Sequence, residues 1–451
     1  VHNFDEQTER LAEEIVDYSV WRLKNDPPLD GPLSLSELTD LVGETITDQG
    51  IGGEKALEIF KNLLAPACIS TDHPRYLSFI PSAPSISSNL FDLVVGASSL
   101  YGGSWLEGAG AVYAENQALN WLIELAEMPE NSGGVFVQGG TVGNLSALVA
   151  ARYQARKKYP DIKNWVLACS AESHSSIKSA AAVMDVELLE IAVDENLKLT
   201  GNQVASTIDS FHAENREKRV FAVVATAGTT NLGIIDELKS IGEYCKNSQI
   251  WYHIDGAYGL AALCAKSVKH LFDGVEMCDS LIVDPHKWLF APFDACALIY
   301  KEPEIARAAH AQKAGYLELF EETADFNPSD YAIQLTRRAR GLPFWFSLAT
   351  HGTAAYSEAM EKTIEIAQAT ADLIKSRSDL ELIVESKLSI VAFKKLGWTK
   401  SDYQQWSDRL LESQIGFVVP SSHKAEPILR FAIVNPLTTI ADIQAILDTL
   451  D

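Results

Sequence analysis

The chain has 451 residues, 47% hydrophobic and 22% charged, which is enough for two or three packed units of an ordinary globular enzyme. Its 61 acidic and 37 basic residues leave a formal charge of -24, which argues against nucleic acid or an anionic membrane as a partner. Six cysteines form neither a CxxC pair nor a Cys/His cluster, so no metal is expected, and no run approaches the roughly 18 apolar residues of a membrane span; a reducing, cytoplasmic setting fits best.

The opening "FDEQTERLAEEIVDYSVWRL" places Leu11, Ile15, Val16 and Tyr18 near one helical face with acids opposite, and the pattern breaks at "NDPPLDGP". "KALEIFKNLL" predicts a second short helix ahead of the Pro- and Ser-rich "HPRYLSFIPSAPSISS". Residues 1–80 have too little apolar material for their own core and read as an arm that clamps onto something else. From 81 to 345 short apolar runs recur: "GVFVQ", "WVLACS", "VELLEIAV", "VFAVVATAG", "IWYHID", "SLIVDP" and "ACALIY". Most are continuous, as in strands buried on both faces, and helical segments such as "TVGNLSALVAARYQARKKY" separate them, so a mostly parallel sheet in an α/β layer is expected. Beyond it, a long helix around "AAYSEAMEKTIEIAQATADLIKS" leads to "LELIVES", "SIVAFKK", "GFVVPSS" and "ILRFAIVN", predicting a small α+β domain over 346–451.

Ligands gather at the C-terminal ends of parallel strands. "GGTVGN" follows the first of these runs, a turn into a helix whose free N–H groups suit a phosphate; a plain strand-to-helix turn explains it equally well. His174 follows the second run and Asp255 ends "IWYHID". Lys287 follows "SLIVD", between His286 and Trp288, where burial is expected to lower its pKa and free the amine as a nucleophile. Taken singly, each residue is a turn former, a cap or a satisfied structural side chain. Pyridoxal 5'-phosphate (PLP) would use all four together, because it needs a phosphate cradle, a stacking partner for the ring, a carboxylate for the pyridine nitrogen and a lysine for the aldehyde.

"DPHKW", "HIDGAYG", "AESHSS" and "VVATAGTTNLG" together resemble the group II PLP-dependent amino-acid decarboxylases, a family of aromatic-amino-acid, histidine and glutamate decarboxylases. The resemblance runs from about "HPRYLSFIPS" to "ILRFAIVNP". It implies an α/β fold of PLP fold type I with a mostly parallel seven-stranded sheet, and a homodimer whose active site lies at the subunit interface, the arm wrapped around the partner. It also implies that Lys287 bonds the cofactor aldehyde, His174 stacks on the ring and Asp255 pairs with the ring nitrogen. Thr226 and Ala257 would support the ring, Gly140, Thr141 and Asn144 the phosphate, and His286 the reacting face. Tyr316 would protonate the substrate α-carbon. Phe79, Ile80 and Ser82, with Leu100 and Tyr101 from the other subunit, would line the side-chain pocket, and Arg430 would meet the substrate carboxylate.

Two positions depart from the animal aromatic branch. The turn is "GGTVGN", not a Ser-Ala-Ser type, and Asp284 stands where that branch has Asn. Asp284 belongs with the cofactor residues by position, yet an ionised Asp would repel phosphate. The expected activity is decarboxylation of an L-amino acid, with an aromatic or other apolar side chain favoured. The alternatives are an acidic substrate, which Arg75 would suit unless it anchors the arm, aldehyde-forming or aminotransfer chemistry, a retro-aldol lyase, and a catalytically silent binding protein.

Overall fold

The computed structural model describes residues 2–312 and 326–451. The arm forms α1 (Glu6–Lys24), α2 (Leu35–Val42) and α3 (Gly53–Ile59), the last continuing into a wider π turn at Phe60–Leu64. Asp5 caps α1 by accepting the Thr8 amide at 2.9 Å, and Ser34 and Glu37 form a capping box on α2. Local signals thus start these helices, but none of the three buries a residue. Phe4 is 74% exposed and Trp21 57%.

Residues 75–79 stitch the arm to the C-terminal part. The Phe417 amide donates to the Arg75 carbonyl (2.9 Å), the Leu77 amide to the Phe417 carbonyl (3.0 Å), and the Ala432 amide to the Leu77 carbonyl (2.9 Å). These bonds explain one departure from the sequence reading. "GFVVPSS" was expected as a strand, but only its end joins a ladder; upstream its backbone pairs with residues 75–78, and Pro420 has no N–H to offer a sheet.

Helices α4 (Ile86–Ser98) and α5 (Trp105–Leu125) lead into β1 (Gly133–Val137), α6 (Gly140–Lys158), β2 (Asn164–Ser170), α7 (Ser175–Met184) and β3 (Glu187–Ile191). Next come α8 (Gly201–Glu214), β4 (Lys218–Thr226), α9 (Leu238–Ser248), β5 (Trp251–Asp255), β6 (Ser280–Val283), α10 (Pro285–Trp288), β7 (Cys296–Tyr300) and α11 (Pro303–His310). The seven strands are the seven apolar runs. They lie in the order β1-β7-β6-β5-β4-β2-β3, with β7 antiparallel to both neighbours and the other pairs parallel. The fold is therefore α/β around a mostly parallel seven-stranded sheet, as expected.

The continuous apolar character of the strands has a direct cause. Alternate residues point to opposite faces, and each face has its own core. Val166, Ala168, Val223 and Ala225 pack with Leu119, Leu122, Val204 and Ile241 on one side. Leu167, Cys169, Ala222 and Val224 pack with Leu148, Ala151 and Ile177 on the other. Truncating a large aliphatic chain on either face would leave a cavity costing about 2–4 kcal/mol.

The C-terminal part begins with α12 (Leu342–Ser376), which breaks at Gly352, where φ is 76° and ψ 160°. The expected border at 345/346 falls inside this helix, ahead of the break. Then follow β8 (Leu380–Leu382), β9 (Ile390–Lys395), α13 (Lys400–Glu412), β10 (Ser421–His423), β11 (Glu426–Ala432) and α14 (Ile440–Leu447). The four strands make an antiparallel sheet, β10-β11-β9-β8, over a core that includes Phe393, Phe431, Tyr403, Trp406 and Ile443. Among the described residues no helix is long and apolar enough to cross a membrane, and no His/Cys/Asp/Glu group could hold a metal ion.

Candidate active site

Because β2, β4, β5 and β6 run the same way, their C-terminal ends meet the start of α6 on one rim of the sheet. A cavity of about 330 Å³ opens there. Gly140, Thr141, Asn144, His174, Thr226, Asp255, Ala257, Asp284, His286 and Lys287 all line it. Ten positions scattered over nearly 150 residues of sequence are thus brought together by strand direction alone.

No side chain caps α6, and while the Val142 amide turns back to the Gly139 carbonyl at 3.1 Å, the Gly140 and Thr141 N–H groups are left for an anion. The turn must be glycine-rich because other groups press against it. A Cβ on Gly140 would lie 3.1 Å from Asp284 Oδ2 and 3.2 Å from Ile282 Cδ1, and one on Gly143 would lie 2.9 Å from Cys296 Sγ. Asn144, grouped with this turn in the sequence reading, has its side chain committed elsewhere. Its Nδ2 donates to Asp255 Oδ2 and to Ser176 Oγ, each at 3.0 Å, and its Oδ1 meets His253 Nε2 at 2.9 Å. Asn144 therefore serves the carboxylate and not an anion at the turn.

Lys287 differs from expectation too. Its Nζ lies 2.9 Å from Asp284 Oδ2; the carboxylate is buried and the lysine side chain 23% exposed. Burial is the largest single influence on Lys287 and pushes its pKa down, but the Asp284 and Asp255 charges outweigh it, and the net shift is upward. Asp284 mirrors this: burial raises its pKa, and the Lys287 and His286 charges bring it below the usual carboxylate range. The amine is thus held as a paired ammonium, not as a free base. Asp284 supplies that pairing charge.

Asp255, buried at the end of β5, accepts from the Ala257 amide at 3.2 Å as well as from Asn144. His174 caps α7, its Nδ1 taking the Ser176 amide at 3.2 Å. His286 holds the Ala295 carbonyl through Nδ1 at 2.7 Å, which leaves Nε2 on the cavity side, 3.8 Å from Asp284. Thr226 is fixed through its backbone by the buried Asp236, which accepts the Thr226 and Leu199 amides. Burial pushes the Asp236 carboxyl up to about 7. Thr226 Oγ1 is buried with no hydrogen-bond partner, an orphaned group facing the cavity. A carboxylate, an amine, an uncapped helix start and an orphaned hydroxyl around one cavity fit the pyridine nitrogen, aldehyde, phosphate and ring substituents of PLP.

The residues expected around a substrate side chain are not on this wall. Ser82 donates to the Ala291 carbonyl at 2.9 Å, Ile80 is buried in the core, and Phe79 is 58% exposed. Leu100 is exposed, and Tyr101 donates to the Leu335 carbonyl at 3.3 Å. Arg430 is buried and donates to the Phe79 carbonyl at 2.7 Å; no carboxylate pairs with it among the described residues, and burial pushes its pKa down to about 10. Arg75 is committed to Asp442 at 3.0 Å and to the Ile415 carbonyl, so it anchors the arm. Tyr316 lies outside the described residues.

Sequence reasoning missed Tyr258, Asp294 and Thr230, which also line the cavity. Tyr258 lies 2.6 Å from Ser389 Oγ and so ties the cavity wall to the C-terminal part, while Asp294 forms an ion pair with Arg340. Tyr258 lies within "HIDGAYG" and Asp294 just before "ACALIY", but nothing in their spacing separated them from turn residues.

The family pattern described as "Pyridoxal-dependent decarboxylase conserved domain" matches residues 37–396. An aromatic-L-amino-acid decarboxylase of Bacillus atrophaeus is 27% identical, covering 98% of this chain and 94% of its own. A 3,4-dihydroxyphenylacetaldehyde synthase of Aedes aegypti is also 27% identical, covering 88% of this chain and 80% of its own. Among solved structures, that of Oryza sativa TDC with PLP and tryptamine superposes with a TM-score of 0.91 over 99% of both chains, at 20% identity.

Proposed function

The chain belongs to the pyridoxal-dependent decarboxylase family and is a PLP-dependent amino-acid decarboxylase; from that premise we propose that it acts on an L-amino acid with an aromatic or other apolar side chain and releases the amine. The observation that carries the reading is the single cavity around Lys287, Asp255, His174 and Thr226. Bound PLP supplies the electron sink for the broken bond between Cα and the carboxylate. The protein's own groups do the rest. Lys287 would bind the cofactor aldehyde, and Asp284 would pair with the lysine Nζ whenever that amine is free and protonated. Asp255 keeps the ring nitrogen protonated. His174 would cover the ring, Thr226 would offer its orphaned hydroxyl to a ring substituent, and Ala257 would support the ring. The uncapped α6 start, with Gly140 and Thr141, receives the phosphate. His286 offers Nε2 on the reacting side, and Arg430, a buried cation without a carboxylate, draws the substrate's acid group.

Tyr316 is the proposed donor of the proton that replaces CO₂ on Cα. Tyr316→Phe should then divert product from amine towards aldehyde, with loss of water exclusion adding to the effect. Unchanged amine yield would transfer the role to His286.

A second copy of the chain is the proposed cover for the arm and for α4 and α5, where Phe4, Trp21, Leu93 and Tyr113 are exposed. Leu100 and Tyr101, which do not line their own cavity, would then serve the partner's side-chain pocket, with Phe79, Ile80 and Ser82 forming its near side. Six free cysteines, five of them buried, favour a reducing compartment such as the cytoplasm. The deciding experiment is to reconstitute the protein with PLP and offer each of the twenty amino acids, measuring CO₂, amine and aldehyde together. Aromatic residues should lead, with amine as the main product. Preference for glutamate or aspartate, or aldehyde as the main product, would overturn the corresponding part.

A further inference from the structure

A buried hydrogen-bond chain runs beneath the cavity. Trp251, His253 and Asp255 are alternate residues of β5 and so face the same side of the sheet, towards α6. In the parallel register His253 stands opposite Ser280 of β6. Trp251 Nε1 donates to Ser280 Oγ at 2.8 Å, and Ser280 Oγ lies 2.8 Å from His253 Nδ1. His253 Nε2 meets Asn144 Oδ1 at 2.9 Å, and Asn144 Nδ2 reaches both Asp255 Oδ2 and Ser176 Oγ. Ser176 Oγ then lies 2.9 Å from His174 Nδ1. Trp251, Ser280, His253, Asn144, Ser176 and Asp255 are all buried.

Burial lowers the His253 pKa to about 4, and for a neutral imidazole only one arrangement of protons satisfies every link. The Trp251 indole can only donate, so the Ser280 hydroxyl accepts from it and is free to turn its own hydrogen to His253 Nδ1 when that nitrogen is unprotonated. At the far end an ionised Asp255 can only accept, so Asn144 must present its amide nitrogen there and its oxygen to His253. His253 therefore carries its proton on Nε2. Ser176 accepts from Asn144 and donates to His174 Nδ1, which also takes the Ser176 backbone amide; the His174 proton is placed on Nε2. Reversing the Asn144 amide would set two oxygens against each other 3.0 Å apart in a dry interior, which is the costly outcome.

We propose that His253 is a positioning residue: by fixing the Asn144 amide, it orders the protons of this chain so that Asp255 meets the cofactor's ring nitrogen as a carboxylate and His174 meets the ring as its Nε2–H form. The inference rests on the functional reading above. The titratable groups around Asp255 are His253 on its own strand, Lys287 and Asp284 after β6, His174 before α7, and Cys296 on β7. A carboxylate that loses an N–H donor becomes more basic. When His253 is removed and Asn144 is freed, the pH at which the bound cofactor's visible absorbance changes should therefore rise.

The test uses the PLP-loaded enzyme and two variants. His253→Leu should raise the acid midpoint of the absorbance titration by about one pH unit and lower kcat about tenfold with KM little changed. His253→Gln places an amide nitrogen near the position of Nε2 and should restore most of both. Nitrogen-15 spectra of the wild-type imidazoles, which need no variant to fold, should show His253 protonated on Nε2. A proton on Nδ1, an unmoved titration in His253→Leu, or a His253→Gln indistinguishable from His253→Leu would overturn the proposal. If the wild-type protein takes up no cofactor, the functional reading itself fails; a normal cofactor spectrum alongside the wrong tautomer overturns the proton order alone.

Discussion

At the rim of the seven-stranded sheet, polar groups are buried without partners; along the N-terminal arm, apolar groups stand in water without cover. Thr226 Oγ1 on the cavity and the buried Arg430 Nε have no hydrogen bond, while Trp21 is 57% exposed and α1 buries nothing. Each arrangement is unfavourable for an isolated chain, the first by about 1–3 kcal/mol per unsatisfied group and the second by the lost burial of large side chains. The contrast indicates what each region awaits. Orphaned polar atoms in a small concave space call for a small polar ligand, and an extended apolar face calls for another protein surface.

The largest effect should come from emptying the rim of its amine. Lys287→Ala removes the only lysine on the cavity wall among the described residues, so turnover should fall to the uncatalysed level. The visible band of lysine-bound cofactor should vanish, and borohydride should fix no cofactor to the chain. The arm should be indifferent to the change, and sedimentation should give the same assembly as for the wild type. A borohydride-sensitive band in Lys287→Ala would break the assignment.

The next largest effect tests the other side of the contrast. Trp21→Ser together with Ile15→Ser strips two exposed apolar groups from α1, and the self-association constant should weaken on the order of 100-fold, as for loss of interface anchors. Cofactor absorbance per folded chain should change less than assembly does. A wild-type protein that sediments as a monomer at micromolar concentration would remove the second copy from the account.

The two regions also differ in how far they could be read from sequence. The strands, their parallel sense and the residues at their ends were legible because continuous apolar runs and strand-end polar residues leave a one-dimensional trace. Asn144 was grouped with the phosphate turn because its sequence neighbours are turn glycines, while the atoms its side chain bonds belong to His253, Ser176 and Asp255. The Lys287 charge state was misjudged for a related reason. Burial was visible in "HKWLF", but the Asp284 counter-charge one helical turn away decides the sign. "GFVVPSS" failed as a strand because residues 75–78, more than 300 positions earlier, take its backbone groups.

A smaller effect probes the Asp284 charge. Asp284→Asn should destabilise the cofactor-free protein by about 2 kcal/mol, the scale of a hydrogen bond to a charged group. The pH window follows from the shift directions. The raised Lys287 value contributes stability present below the unfolded lysine value and lost as pH rises through the folded one. The lowered Asp284 value contributes stability present above the unfolded carboxylate value and lost as pH falls through the folded one. The difference between wild type and Asp284→Asn should therefore be greatest in the neutral range and shrink at both extremes, as thermal unfolding across pH would show. An acylating reagent should also attack Lys287 at lower pH in the variant. Equal stability at neutral pH would mean that the pair does not form in solution.

The smallest effect concerns Arg75, which separates the two regions most finely because it has an anchoring role in the structure and a substrate role in the acidic-amino-acid alternative. Its Nε pairs with Asp442 and its Nη1 with the Ile415 carbonyl, each at 3.0 Å, with the two side chains 34% and 21% exposed. A partly exposed pair of this kind is screened by solvent, so Arg75→Gln should cost no more than about 1 kcal/mol. Gln can still donate one hydrogen bond to the Ile415 carbonyl, which keeps the loss low. Backbone bonds of residues 75 and 77 with Phe417, and the Val419 amide on the Ser78 hydroxyl, should hold the arm in place without the charge. The ratio of kcat/KM for an aromatic to an acidic amino acid should stay that of the wild type, and any change in melting temperature should be suppressed by salt. If Arg75→Gln selectively loses turnover of glutamate or aspartate while its stability is untouched, Arg75 is a substrate residue, and the acidic side chain becomes the better reading of this enzyme.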